Sequence, residues 1–193
     1  MFESNNPIKR FSLSIASNIC EDITRPVDLF VSAGQTLVTK HHPYELIVDD
    51  INLYDNLLYV INLYYNQLCS GGILVMNTLG GATLNELVQS MIHADLCENR
   101  FVTRMLPKIS SEGLLLLANK SSFKYKTVMN TTTIFNYSSV SEIIQSLREI
   151  KLTKKLSDTQ PTSRKYWQSV QEIFSDLYGQ SATIEVITLL AVR

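Results

Sequence analysis

The spacing of hydrophobic positions changes from strand-like to helix-like within one stretch, Ser70 to Met91. A short apolar run, Ile73 to Met76, follows a glycine pair and predicts a strand entered from a turn at Gly71–Gly72. Further on, five apolar residues recur at i, i+3, i+4, i+7 and i+8, which predicts one buried face of a helix: Leu84, Leu87, Val88, Met91 and Ile92. The stretch therefore predicts a strand–loop–helix unit of an α/β protein.

The start of that helix carries a second local signal. Thr83 and Glu86 stand three residues apart, which is the spacing of a capping box, so we expect each side chain to accept a free helix-start N–H. Gly80 and Gly81 come just before and could present N–H groups to an anion. Phosphate-binding loops usually hold more glycines and a lysine, so we expect these two glycines to be structural.

The same criteria predict an alternation of elements along the rest of the chain. Upstream there are four: a helix at Ile8–Ile23, a strand at Val27–Gly34, a strand at Tyr44–Asp50 and a helix at Asn52–Leu68. Downstream there are six: a helix at Ser110–Ala118, strands at Ser122–Met129 and Thr131–Tyr137, a helix after Ser139, a helix at Ser163–Tyr178 stopped by Gly179, and a last strand at Ala182–Arg193. Consecutive strand–helix steps predict parallel pairing of the strands around Leu46 and Leu74.

Composition narrows the class of protein. A chain of 193 residues with 45% hydrophobic and 18% charged residues predicts one globular domain over residues 1–193. The net charge of −1 and the lack of a basic run argue against nucleic-acid binding. Three unpaired-looking cysteines and no apolar run of membrane-spanning length predict a cytoplasmic protein that is not in the membrane.

Polar side chains at the end of a predicted strand are the first candidates for a ligand site. Asp49 and Asp50 close the Tyr44 strand, and open α/β sheets bind ligands beyond the carboxyl ends of their parallel strands. Asn52 and Tyr54 follow at the same edge. Solvation, or capping of the next helix, would explain the same carboxylates without a ligand.

Other candidates are fewer. Tyr137 could line a pocket or belong to the core, since aromatic residues serve both roles. The adjacent His41 and His42 have no third ligand at a suitable spacing, so we expect no metal site. No Ser–His–Asp or Cys–His arrangement has a supporting context, so the sequence identifies no catalytic residue.

Several motifs together resemble one known family. The segment G-G-I-L-V-M-N-T-L-G-G-A-T-L-N-E-L (Gly71–Leu87) is similar to P-D-G-x-F-x-x-x-x-x-G-G-x-T-L-x-E-L of class I S-adenosylmethionine-dependent methyltransferases. Weaker matches follow at Tyr44–Asp50, Pro107–Ala118 and Ala182–Ile187, so the resemblance covers Pro43 to Arg193. Within the family it is nearest to the group that contains the malonyl-carrier-protein O-methyltransferase of biotin synthesis and the arginine hydroxylase of complex I assembly.

The resemblance implies a fold and a site. It implies a Rossmann-like α/β sheet with a helical insertion in its C-terminal half, S-adenosylmethionine as cofactor and methyl transfer as the reaction. It also implies that Asp49, Asp50 and Asn52 face the cofactor and that Tyr54 and Tyr137 face the substrate.

The sequence departs from the family in the cofactor half. The family carries a D-x-G-x-G-x-G loop after its first strand, whereas the nearest match here, V-D-L-F-V-S-A-G-Q-T, has only Gly34. A βαβ unit needs about 30 residues, and 43 residues precede Tyr44. We therefore expect one strand–helix step, or two, to be missing, with residues 1–43 a shortened cofactor half and 44–193 the family-like half.

Two functions from different classes follow. The first is a methyltransferase-like protein whose cofactor binding is degraded or absent. The alternative is a non-catalytic binding or assembly protein that keeps the substrate half of the fold. In that case a protein partner or a second copy of the chain would bind the side of the sheet that the shortening exposes.

Overall fold

The computed structural model describes residues 6–21, 29–32, 44–49, 56–99, 108–150 and 163–193. Within these ranges helices and strands alternate in the following order: α1 Pro7–Glu21, β1 Leu29–Ser32, β2 Tyr44–Asp49, α2 Leu57–Gln67, β3 Leu68–Leu79, α3 Asn85–Cys97, α4 Ser111–Asn119, β4 Tyr125–Asn136, α5 Val140–Glu149, α6 Arg164–Tyr178 and β5 Ser181–Val192. The predicted α/β class is confirmed. None of the described helices is long and apolar enough to cross a membrane.

The strands form a mixed sheet in the order β1-β2-β3-β5-β4. β1, β2 and β3 run parallel, and the register aligns Ile47 of β2 with Leu74 of β3, which confirms the predicted parallel pairing. β5 runs antiparallel to β3, from Val186 opposite Leu79 to Val192 opposite Ile73. β3 is buried throughout from Leu74 to Leu79, which suits a central strand, since both of its faces must be covered.

The chain divides into two compact units. The first holds Met1–Gly81, Ile109–Thr131 and Val186–Arg193, and the second holds Ala82–Lys108 and Thr132–Glu185. Strands β4 and β5 therefore contribute residues to both units. The organisation of 1–193 as a single domain stays a prediction.

The core of the first unit lies where α2 and α4 cover the sheet. The predicted apolar stripe of α2 is buried there through Val60, Ile61 and Tyr64, and Asn56 caps the helix by accepting a hydrogen bond from the backbone N–H of Tyr59. The sheet, α4 and the connection after α4 supply the other buried members: Ile47, Leu68, Leu74, Met76, Leu114, Ala118, Phe123, Ile187, Leu189 and Ala191. Helical and strand periodicity thus point to the same interior.

A buried polar network joins α1 to the middle of this sheet. The side-chain amide of Asn77 donates to the carbonyl oxygen and the hydroxyl of Ser12, at 3.0 and 2.8 Å. Its carbonyl oxygen accepts from the Thr188 hydroxyl at 2.7 Å. All three residues are at most 1% exposed. Polar groups buried this deeply are favourable only when they are paired, so the network fixes where α1 lies.

The turn predicted at Gly71–Gly72 is wrong. Both glycines lie inside β3, and the β2–β3 register jumps there, because Tyr44 aligns with Leu68 while Leu46 aligns with Ile73. Such a jump is a β-bulge, and it uses the positive φ of +77° at Gly71. A glycine pair gives the same local signal for a bulge as for a turn.

β4 also differs from the prediction, which divided it into two strands. It is one continuous strand of 12 residues, in which exposed and half-exposed residues alternate except at Met129 and Asn130, which are both exposed. The predicted break fell at Asn130. The side chains of this end strand all keep contact with solvent, so polar residues can continue the strand without the free-energy cost of burying a polar group.

The second unit is built on the contact between α3 and α6. Tyr166, Val170 and Phe174 form the buried stripe of α6, and the Tyr166 hydroxyl donates to the carbonyl oxygen of Met91 at 3.3 Å. Gly179 ends the helix in the left-handed conformation with φ of 56°, as predicted. The amphipathic pattern therefore fixed this helix almost to the residue.

Replacement of the central amide should destabilise the protein. Asn77→Ala leaves Ser12 and Thr188 without these partners and opens a small cavity, so we expect the free energy of unfolding to fall by about 2–3 kcal/mol. Urea unfolding followed by circular dichroism measures this. The matched control is Asn66→Ala on the exposed face of α2, which should change stability by less than about 0.5 kcal/mol. Equal effects at both positions would contradict a structural role for the network.

Candidate ligand site at the carboxyl edge of the sheet

The carboxyl ends of the three parallel strands meet at one edge, here called the carboxyl edge. Ser32, the last residue of β1, aligns with Asp49 of β2, which aligns with Met76 of β3. This is the edge at which doubly wound sheets bind their ligands. The strand that precedes the single-glycine sequence A-G-Q-T therefore lies directly beside the strand that ends in Asp49.

Asp49 is the predicted cofactor residue that the structure describes in full. It is fully buried and is one of the residues that already interact within the chain. Asp50, Asn52 and Tyr54, the other predicted residues at this edge, lie outside the described residues. The roles proposed for these four residues stay predictions.

The predicted capping box at Thr83 and Glu86 is wrong. Helix α3 begins at Asn85 after Leu84, which has a left-handed φ of 54° and makes no side-chain capping bond. Thr83 instead bonds to β5, since its hydroxyl donates to the carbonyl oxygen of Glu185 at 2.9 Å and accepts from the N–H of the same residue at 3.1 Å. One fully buried hydroxyl satisfies both backbone groups of a strand residue.

Glu86 acts in the same way two residues earlier along β5. Its carboxylate accepts the backbone N–H of Thr183 at 3.1 Å and also the hydroxyl of Thr183. The carbonyl oxygen of Thr183 accepts the N–H of Leu84 at 2.7 Å. We call Thr83, Leu84 and Glu86, with these bonds to β5, the strand clamp. A sequence motif cannot reveal it, because the partner strand lies about a hundred residues away.

Two further charged residues complete this region. The Glu185 carboxylate accepts the N–H of Ala82 at 2.6 Å, and the Lys108 ammonium donates to the side-chain oxygen of Asn85 at 2.8 Å. Burial lowers the pKa of Lys108, although Glu86 and Glu185 oppose that shift by favouring its charged form. Sequence analysis singled out neither Glu185 nor Lys108, because nothing in their local pattern marks them.

The local backbone does not require a glycine at position 81. A side chain built at this glycine would meet no atom within 4 Å, and its φ is outside the range that favours glycine. The expectation that the glycine pair is structural therefore has no steric support at Gly81. Nor do the described residues bring three or more His, Cys, Asp or Glu side chains together as a metal site would need.

Tyr137 is buried, with 3% of its surface exposed, and its hydroxyl has no hydrogen-bond partner among the residues that the structure describes. Burial raises the pKa of Tyr137 to about 12, and the nearby Glu142 carboxylate adds to the shift. The phenol is therefore neutral at physiological pH and carries a free donor. An unpaired buried polar group is uncommon and calls for a physical reason. Its backbone is fixed, because its N–H donates to the carbonyl oxygen of Gln180 at 3.0 Å.

The second predicted capping box follows Tyr137 and is present in modified form. The Ser139 hydroxyl accepts the N–H of Glu142 at 3.3 Å, as predicted. The Glu142 carboxylate accepts the N–H and hydroxyl of Ser138, at 2.7 and 2.8 Å, rather than the N–H of Ser139. These two bonds hold the pKa of Glu142 below its usual value.

A cleft between α5 and α6 was not predicted at all. It has a volume of about 650 Å³ and includes Arg148, Arg164 and Trp167 among its lining residues. The two arginines belong to different helices with a polar connection between them in the sequence. Neither has a distinguishing pattern of its own, so only the packing of the helices brings them together.

No protein-family model and no curated protein sequence matches the chain. Its fold is similar to that of a protein from Bacillus halodurans C-125, provisionally described as a methyltransferase, with 10% identity, a TM-score of 0.46 and coverage of 83% of this chain and 74% of that one. For the YcgJ protein of Bacillus subtilis the identity is 11%, the TM-score 0.45 and the coverage 96% and 79%.

A third solved structure is phosphoethanolamine N-methyltransferase 2 of Haemonchus contortus in complex with S-adenosyl-L-methionine. Here the identity is 12%, the TM-score 0.35, and the match covers 78% of this chain but 33% of that one. Similarities this low assign neither an activity nor a cofactor to the present chain. The narrower resemblance to the biotin-synthesis and complex I assembly proteins stays a prediction.

Removal of the Thr83 hydroxyl should weaken the strand clamp. Thr83→Val keeps the shape of the side chain but leaves the N–H and carbonyl oxygen of Glu185 without this partner, so we expect a loss of about 1–3 kcal/mol in the free energy of unfolding. Thr132→Val, the same change at an exposed position of β4, is the control and should alter stability by less than about 0.5 kcal/mol. Denaturant unfolding of both variants distinguishes the clamp from a general effect of valine.

Tyr137 predicts a specific pH dependence. Its folded-state pKa of about 12 lies above the ordinary value of 10.0, so the stability that the neutral phenol contributes is complete below pH 10 and is lost as pH rises through 12. Tyr137→Phe should be as stable as the parent, or up to about 1 kcal/mol more stable, at pH 7. At pH 12 the free energy of unfolding of Tyr137→Phe should exceed that of the parent by about 2–3 kcal/mol.

Unfolding at a series of pH values measures this difference. Tyr125→Phe is the matched control, because Tyr125 is 62% exposed and loses its hydroxyl from the surface rather than the interior. A Tyr137→Phe variant that is clearly less stable than the parent at pH 7 would mean that the hydroxyl has a bonding partner in solution.

Proposed function

We propose that this chain is a methyltransferase-like protein that does not use S-adenosylmethionine as a methyl donor and instead works as a non-catalytic binding or assembly protein. The observation that carries the proposal is the position of β1. It lies beside β2 in parallel register, where the resemblance would put the strand that leads into the glycine-rich cofactor loop. The sequence that follows it has one glycine, Gly34.

Cofactor loops of doubly wound folds need several glycines for physical reasons. One permits a tight turn, and another lets the backbone approach the ligand closely without a Cβ in the way. The sequence S-A-G-Q-T supplies these features at one position only. The residues after β1 therefore do not fit the cofactor that the resemblance implies.

The other polar groups near the family-like motif are already used. Asp49 is buried and engaged within the chain, and the side chains of Thr83 and Glu86 bond the backbone of β5. These groups stabilise the fold, and they would have to break those bonds to hold a ligand. A motif whose side chains bond the fold in this way needs no catalytic role to explain it.

Two features support a binding role. Tyr137 offers a neutral hydroxyl that has no partner among the described residues and suits a ligand acceptor such as a carbonyl oxygen, so we propose it as the substrate-side residue that the protein keeps. β4 supports an assembly role, because it is the end strand of the described sheet and carries exposed Tyr125, Met129 and Ile134. A second copy or another protein could add to such a strand.

Titration with S-adenosylmethionine tests the proposal. A dissociation constant of 100 µM would raise stability by about 1.4 kcal/mol at 1 mM ligand, which a thermal-shift assay detects readily. We expect no saturable shift and no heat of binding by calorimetry with either S-adenosylmethionine or S-adenosylhomocysteine.

Saturable binding of either compound would overturn the non-catalytic proposal. Asp49→Asn then tests the predicted contact. If the Asp49 carboxylate contacts the cofactor, its replacement by a neutral amide should lower the affinity for S-adenosylmethionine. The control is Asp176→Asn on the exposed surface of α6, which should leave any such binding unchanged.

A further inference from the structure

We propose that the cleft between α5 and α6 is a binding site for a small ligand that combines an oxyanion, carboxylate or phosphate, with a planar apolar group. The inference does not rest on the proposed function, since it uses none of the residues of the carboxyl edge or the strand clamp. The volume of the cleft, about 650 Å³, falls within the range of small-molecule sites.

Each helix presents one continuous face to the cleft. α5 contributes Val140, Ser141, Ile144 and Arg148, which fall on one side of a helix, and α6 contributes Arg164, Trp167, Gln168, Gln171 and Glu172. This α6 face is separate from the stripe of Tyr166, Val170 and Phe174 that packs in the core. Arg148, Arg164 and Glu172 are exposed, so packing in the core does not explain their place in the cleft.

The walls of the cleft are joined by a fixed side chain. The Gln171 side-chain oxygen accepts the N–H of Val140 at 2.7 Å, and its amide nitrogen donates to the Ser175 hydroxyl at 2.9 Å. Because Gln171 spans from α6 to the first residue of α5, it sets the separation of the two helices. A site formed in advance costs a ligand less ordering than one that must be assembled.

The charge in the cleft is unbalanced. Among the described residues that line it there are two guanidinium groups, Arg148 and Arg164, and one carboxylate, Glu172. Within the same part of the chain, neither arginine side chain forms an ion pair or a hydrogen bond. Arg164 also stands at the first residue of α6, whose first turn has no acidic residue, so it faces the positive end of the helix dipole. A bound anion would reduce the repulsion between the two guanidinium groups and also the repulsion between Arg164 and the helix dipole.

Arginine suits this role because its planar guanidinium forms paired, charge-assisted hydrogen bonds with carboxylate and phosphate. Two arginines from different helices can hold one such group from two sides. This selects the anionic part of the ligand.

Trp167 selects the rest of the ligand. Its ring is half-buried and is held edge-on by Tyr166, with centroids 5.4 Å apart and planes at 77°. The ring and the apolar side chains of Val140 and Ile144 line the same cleft. A flat ring or a short acyl group can pack there while its oxyanion reaches the arginines.

The experiment uses the full chain and the fact that it contains a single tryptophan. Fluorescence of Trp167 therefore reports on the cleft alone. The probes are phenyl phosphate and benzoate, which carry both features, inorganic phosphate, which lacks the ring, and benzyl alcohol, which lacks the charge. We expect saturable changes with the first two at millimolar concentration or below and at least tenfold weaker effects with the last two. The affinities for phenyl phosphate and for benzoate, compared with each other, show which oxyanion the cleft prefers.

Three variants test the residues. Arg148→Gln and Arg164→Gln should each weaken phenyl phosphate binding about tenfold, the effect of one lost charge-assisted hydrogen bond. Glu172→Gln should tighten it, because it removes a like charge from the cleft. The matched control is Lys165→Gln, which removes a cation from the same turn of α6 at a position that does not line the cleft, and it should change affinity less than twofold.

The outcomes decide the proposal in either direction. No saturable fluorescence change with phenyl phosphate or benzoate up to 10 mM, about the weakest affinity worth calling a site, overturns it. Equal losses in Lys165→Gln and Arg164→Gln also overturn it, since they would show attraction to general positive charge. Circular dichroism and thermal unfolding of each variant confirm that the fold is retained.

Discussion

The fold depends on the two hydrogen bonds between the Thr83 hydroxyl and the backbone of Glu185. β3 pairs with β5 only from Val186 to Val192, so the first part of β5 needs other partners for its N–H and carbonyl groups. Thr83, Leu84 and Glu86 supply them at Thr183 and Glu185. The loop after β3 thus takes over the bonding of the strand where the ladder of β3 stops.

The bonding of this loop to β5 explains the unfavourable backbone conformation of Leu84. Leu84 has a left-handed φ of 54°, which costs a residue with a Cβ about 1–2 kcal/mol. The residue tolerates it because its N–H bonds the carbonyl oxygen of Thr183 and its side chain is fully buried. The segment G-G-A-T-L-N-E-L and the segment A-T-I-E therefore belong together physically.

The sequence predicts what local periodicity determines and misses what distant residues determine. The buried stripe of α6 and its stop at Gly179 could be predicted because both are local. The capping box at Thr83 was wrong, since its true partner Glu185 lies 102 residues away. The cleft could not be predicted for the same reason, because Arg148 and Arg164 meet only after two helices pack. Asp49 was placed correctly at a strand end, but its burial is a tertiary property.

The groups that stay available for a ligand have a common chemistry. Among the described residues, Tyr137 offers a neutral hydroxyl without an acceptor, and the cleft offers the guanidinium groups of Arg148 and Arg164, which only donate. The acidic side chains near the motif, Glu86 and Glu185, already accept hydrogen bonds within the fold. Within the described part of the chain, the donors of Tyr137, Arg148 and Arg164 therefore suit an anion, whereas the sulfonium and ammonium of S-adenosylmethionine would need acceptors or negative charge.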